Sequence, residues 1–197
     1  MIKNKKDYKE RIIKFVIIIT IVFILTIILL SLLLKPKKNF EYMGVKFTIV
    51  DFCSPDKSSC LRTYQTKVPV IYMGKKANYS FYLHRDPHKT LKNVPFDGEL
   101  VFKKEMAVHI TFNRFCNGFE QVAVANFLTL HRVIGINITG EDKECDVSGN
   151  KMYVNIQESN RTFIEKIGPS CYNINIKDCE ILEGMERFMI ESFVKIK

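Results

Sequence analysis

Hydrophobic residues follow three rhythms along this chain. The first is unbroken: FVIIITIVFILTIILLSLLL, from Phe15 to Leu34, contains no charge, no Gly and no Pro. Twenty helical residues rise roughly 30 Å, the thickness of a bilayer's hydrocarbon core, so a transmembrane anchor helix is expected over residues 15–34. A cleavable signal peptide would have an apolar region of about 7 to 15 residues and a small-residue cleavage site. Here Ser31-Leu32-Leu33-Leu34 leads straight into Lys35-Pro36-Lys37-Lys38, which predicts an uncleaved anchor.

The second rhythm alternates with a period of two, the spacing of strands. Phe40 to Phe52 reads as a strand through Val45, Phe47 and Ile49. Val68–Met73 and Asn78–Leu83 read as a hairpin turning at Gly74-Lys75-Lys76-Ala77. A second pair is expected where Leu100 and Phe102 turn at Lys103-Lys104-Glu105 into Met106, Val108, Ile110 and Phe112. Ile136–Thr139, Met152–Gln157 and Cys171–Ile176 are further short strands, and residues 162–165 fit either a short capped helix or the arm of a hairpin.

The third rhythm is helical. Asn117-Gly118-Phe119-Glu120 fits a capping box, Gly135 a left-handed stop, and the apolar residues between them cover most of the circumference, predicting a largely buried helix. Near the C-terminus Ile181, Leu182, Met185, Phe188, Met189, Ser192 and Ile196 form a stripe on a helix that Asp178 can cap. These elements predict an α+β fold: the transmembrane helix, then one mixed-sheet domain with two main helices packed on the sheet. The expected organisation is a basic tail at 1–14, the anchor at 15–34, a juxtamembrane linker at 35–39 and the domain at 40–197.

Charge adds orientation. Lys3, Lys5, Lys6, Lys9, Arg11 and Lys14 precede the anchor, against Lys35, Lys37, Lys38 and Lys46 after it, so the positive-inside rule places the N-terminus in the cytoplasm. The net charge of +9 is concentrated beside the anchor, with +4 in residues 1–14, +3 in 35–38 and +2 in the rest. A nearly neutral outer domain removes the main support for nucleic-acid binding, and the expected partner of Phe15 to Leu34 is the lipid bilayer.

All six cysteines follow the anchor, as do the sequons at Asn78, Asn137 and Asn160, which suits an oxidising compartment with disulfides. Cys53 and Cys60 flank a turn-rich loop and form the easiest bridge. Cys171 and Cys179 would stand over 20 Å apart if the chain between them is extended. Cys116–Cys179 with Cys145–Cys171 is therefore one arrangement; Cys116–Cys145 with a bent Cys171–Cys179 is its rival.

Candidate chemistry is sparse. In an extended segment His84, Asp86 and His88 share one face, and two imidazoles with a carboxylate are a ligand set for zinc or iron. The turn-forming Asp86-Pro87 and the cations Arg85 and Lys89 point instead to a solvated loop. Asp142, Glu144 and Asp146 match three positions of a calcium loop, but Val147 and Tyr153 stand where glycine and the bidentate glutamate belong. His109 faces away from Val108 and Ile110, and His131 suits a helix C-terminus. No nucleophile elbow, no Cys-x-x-Cys, no His-Glu-x-x-His and no phosphate-binding glycine loop occurs.

Together, the anchor, Phe40–Phe47, Phe81–Pro87 and Cys171–Cys179 resemble uncharacterised archaeal single-pass membrane-anchored proteins with an extracytoplasmic domain. That resemblance implies placement without an activity. The expected function is a non-enzymatic, membrane-tethered extracytoplasmic domain, requiring no cofactor, that binds an envelope component or protein partner. The alternative is a metal-dependent extracytoplasmic hydrolase using His84, Asp86 and His88.

Overall fold

The structure, a computed structural model, describes residues 3–33, 38–72, 74–140 and 144–196. The chain divides into two units, residues 1–37 and 38–197. The first holds helix α1, Lys3–Leu33, whose described side chains, residues 14–29, are all exposed. Those side chains account for about 24 Å of helical rise. Among the described residues no helix is long and apolar enough to cross a membrane. Leu34, the last residue of the expected anchor, and residues 35–37 of the expected linker lie outside the described residues.

The second unit is α+β and has two sheets. The first is antiparallel in the order β1-β2-β3-β4, with β1 Asn39–Tyr42, β2 Val45–Cys53, β3 Cys60–Tyr72 and β4 Lys75–Leu83. Phe40 to Phe52 is thus two strands rather than the one expected. Met43 and Gly44, with φ of 51° and 75°, turn the chain between them, the left-handed pair that a two-residue hairpin turn needs. The β3–β4 hairpin is also tighter than expected: Tyr72 pairs with Lys75 around Gly74, φ 74°.

The second sheet is mixed and runs β5-β9-β10-β8-β6-β7. Its strands are β5 Phe96–Asp97, β6 Glu105–Ile110, β7 Asn137–Thr139, β8 Met152–Ser159, β9 Phe163–Lys166 and β10 Cys171–Lys177. Only β9 with β10 is antiparallel; the other four pairings are parallel. Residues 162–165 therefore belong mainly to a strand. Leu100–Phe102 does not form the hairpin arm that its alternation suggests. The Tyr172 hydroxyl meets this backbone instead, accepting from Val101 N at 2.7 Å and donating to Glu99 O at 2.9 Å, so the segment satisfies polar groups without a strand partner.

Two helices complete the unit: α2, Phe119–Val133, and α3, Ile181–Ile196. Neither starts as the sequence suggests. Asn117 and Gly118 are both left-handed, and Glu120 reaches back to accept from Cys116 N at 3.1 Å. Asp178 is left-handed too; its carboxylate pairs with Arg114 at 3.0 Å, and α3 begins three residues later. The α2 helix buries only one side, through Ala123, Phe127, Leu130 and His131, while Phe119 and Val122 are exposed. It is amphipathic rather than largely buried.

Helix α3 is central. Phe188 packs edge-on to Tyr172 of β10, and Phe193 packs on Phe81 of β4 at 5.9 Å, so α3 touches both sheets. Eleven of its residues are buried, Glu186 and Arg187 among them, more than the expected stripe. A Cβ at Gly184 would collide with Ile176 Cδ1 and come within 3.0 Å of Ile174 Cγ2. This glycine therefore sets how closely α3 lies on β10, at the usual helix cost of about 1 kcal/mol relative to alanine.

Candidate functional site

The leaving end of β4 holds the three residues that a metal reading would join. Each has a different partner. His84 turns to α3: its backbone N–H and that of Arg85 donate to the two oxygens of Glu186 at 2.7 and 2.8 Å, and His84 Nδ1 lies 3.1 Å from Glu186 Oε1. Asp86 closes the turn that follows, accepting from His88 N at 2.9 Å, Lys89 N at 3.2 Å and the Tyr64 hydroxyl at 3.1 Å. His88 points to β1, with its ring 5.1 Å from those of Phe40 and Tyr42 and Nε2 3.2 Å from Glu41 O. Among the described residues no group of three or more His, Cys, Asp and Glu is placed to hold a metal ion.

What this segment does is fasten the first sheet to α3. Arg85 Nε approaches Glu183 Oε1 to 2.7 Å, in ion-pair contact though not aligned as a hydrogen bond, and burial raises the Glu183 carboxyl. Arg187 donates to Val94 O at 3.2 Å, pairs with Glu191 at 2.7 Å and lies over the Phe96 ring. Glu186, almost fully buried and accepting two backbone amides, was missed by sequence reasoning. A lone glutamate between Met185 and Arg187 carries no local sign of burial; only its position on an otherwise buried helix hints at it.

Asp146 folds its own loop, accepting from Ser148 N at 2.9 Å and Asn150 N at 2.9 Å, and the Ser148 hydroxyl above all lowers its pKa; Asp142 lies outside the described residues. His131 is buried among Phe127, Phe102 and Phe188, donates through Nδ1 to Phe127 O at 2.8 Å, and is pushed down by burial to about 4. On the reverse face of the second sheet, Asn155, Gln157, Asn173, Asn175 and Glu165 bond to one another across β8, β10 and β9. His109, in register with Asn155, borders that ladder, and His109 Nδ1 and Asn155 Oδ1 are buried without a hydrogen-bond partner.

The cysteines pair as Cys53–Cys60, Cys116–Cys179 and Cys145–Cys171, which is the first of the two arrangements considered. Cys116 precedes α2 and Cys179 precedes α3, so their bridge ties two strand-to-helix junctions. The sequon residues Asn78, Asn137 and Asn160 are all exposed.

The most suitable binding feature is a groove that no sequence motif announced. From Thr66 onward β3 pairs with β4 alone, so the two strands continue as a ribbon beyond β2. Pro69 falls in this unflanked part, where a sheet tolerates proline. Between the ribbon and the ends of α2 and α3 lies a groove whose walls include Val70, Phe102, Val133, Ile134, Ile136 and Ile196. Lys76, Lys103, Lys104 and Lys195 also line it, and among the described residues no carboxylate does. Lys195 is paired with Glu99, whose carboxyl it holds below its usual range. Beyond Pro69 and Ile196 a second hollow continues past Lys46, Lys67, Val68 and Phe193, again without an acidic lining residue. The lysines come from segments up to 149 positions apart, Lys46 to Lys195, so no window of sequence shows them together.

No protein-family model, no curated protein and no solved structure matches this chain.

Proposed function

We propose that this chain is a membrane-tethered, extracytoplasmic binding protein without catalytic activity, and that the lysine-lined groove is its binding face. The groove carries this reading. It combines an apolar wall with one sign of charge, the pattern of a surface that accepts a partner, while His84, Asp86 and His88 are engaged with separate structural neighbours.

Tethering is supported by the uncharged run Phe15–Leu34 and by the helix that contains most of it. Apolar side chains from Phe15 to Leu29 are exposed at 50–64 % on successive positions, leaving no polar face for water. The hydroxyls of Thr20 and Thr26 bond back to Val16 O and Val22 O at 2.9 and 3.0 Å, which satisfies them without solvent, as a lipid setting requires. Outside placement rests on the basic tail and on the disulfides.

The exposed sequons provide the test. Translated into microsomes, the chain should gain glycan mass at Asn78, Asn137 and Asn160, stay in the membrane after carbonate washing, and keep residues 38–197 protected from added protease. An unglycosylated chain whose domain is digested from the outside of the vesicles would reject the placement.

A further inference from the structure

We infer that the groove takes a membrane lipid with an anionic headgroup: its acyl chain lies along Val70, Phe102 and Ile134, and its head meets Lys76, Lys103 and Lys104. This rests on the binding face proposed above and names its ligand. Three observations converge on it.

The first is charge. Lys195 is already neutralised by Glu99, but Lys76, Lys103 and Lys104 share the groove with no carboxylate among its described lining residues. Cations gathered beside an apolar wall attract a ligand that is anionic at one end and apolar along the rest. The second is the wall itself: Val70, Phe102, Val133, Ile134 and Ile136 line the groove and offer an acyl chain the apolar contact it needs. Pro69, with no N–H, also interrupts the edge of β3 along which an added strand would bond.

The third observation is tether length. Residues 35–38 separate the apolar run from β1, and four residues span at most about 14 Å. If the run is an anchor, this short linker ties the domain to a bilayer, and cationic side chains near an anionic bilayer surface gain attraction.

The test uses the full chain in phosphatidylcholine nanodiscs doped with phosphatidylglycerol that carries a photoreactive group on its acyl chain. After irradiation, digestion and mass spectrometry, labelled peptides should include those containing Val70 and Ile134. The triple variant Lys76→Gln, Lys103→Gln, Lys104→Gln should lower groove labelling about fivefold or more, and Ile134→Trp should lower it by filling the channel while leaving the charges in place. Both variants must retain the three disulfides and the unfolding midpoint of the parent, which shows that lost labelling is not lost folding. Labelling confined to Phe15–Leu34, or groove labelling equally strong with photoreactive phosphatidylcholine, overturns the inference. If glycosylation reports the domain outside and the groove stays unlabelled, the ligand is wrong and the placement stands. A labelled groove on an unglycosylated, protease-sensitive domain has the converse meaning.

Discussion

The two sheets of the outer unit are assembled on different principles. In β1–β4 each strand pairs with its neighbour in the chain, through turns at Gly44 and Gly74 and a loop closed by Cys53–Cys60. In the second sheet β9 and β10 are partners joined directly, β6 and β7 are consecutive strands joined through α2, and the remaining pairings join strands separated by other strands. A sheet made of local hairpins closes small loops, whereas one made of parallel crossovers must close large loops before its contacts form. The second sheet therefore depends more on buried packing and long-range links, and the first can extend an open ribbon over a groove.

Disulfide removal should reveal that difference most strongly. In the chain-entropy account, opening Cys116–Cys179, with a sequence separation of 63, costs about 4 kcal/mol, and opening Cys53–Cys60, with a separation of 7, about 2 kcal/mol. Urea unfolding of Cys116→Ser/Cys179→Ser beside Cys53→Ser/Cys60→Ser measures both. Equal losses would contradict the contrast between the sheets.

Acid should act through the core that α3 shares with the second sheet. Burial depresses His131 to about 4 from its ordinary 6.5, so the unfolded chain takes up the proton first. The stability associated with a neutral His131 is intact above pH 6.5, falls as pH drops from about 6.5 through about 4, and declines no further below that. At about 1.4 kcal/mol per unit this amounts to about 3 kcal/mol. His131→Leu removes the dependence, so in urea unfolding at pH 7.5, 5.5 and 4 the midpoint of the parent should fall relative to that of the variant. Parallel profiles would dissociate acid sensitivity from His131.

Glu186 is the smaller and more local case because it joins the two regions. Glu186→Ala leaves the amides of His84 and Arg85 without their acceptor and should cost about 2 kcal/mol. Faster amide hydrogen exchange at residues 84 and 85, with the interior of β8 and β10 unchanged, would identify it as the fastening between β4 and α3. Uniform acceleration throughout both sheets would mean that the sheets do not open separately.

Legibility followed the same division. The β3–β4 hairpin, the strands β6, β8 and β10, both helices of the domain and the Cys53–Cys60 bridge could be read because period, turn residues and reach are local or nearly so, whereas the other two bridges were narrowed only to two arrangements. The turn at Met43-Gly44 was hidden by continuous alternation on both sides. Leu100–Phe102 had a strand's pattern, but the Tyr172 hydroxyl, brought from 71 positions away, took its place as partner. The helix starts failed because Asn117 and Asp178 adopt left-handed backbones that turn the chain instead of capping it. The groove and the carboxylate of Glu186 were illegible for one reason: each is defined by residues that meet only after the sheets have docked on α3.

The central position of α3 also bears on the order in which the protein can mature. It is the last of the described elements along the chain, yet it supplies Glu186 to the end of β4, Phe193 to Phe81 and Phe188 to Tyr172. While the chain is being made, both sheets precede the helix that holds them together, and their inner faces have only α2 to cover them until it arrives. A ribosome-bound chain stalled before Ile181 should thus remain protease-sensitive throughout the outer unit, and resistance should appear in one step once α3 has emerged.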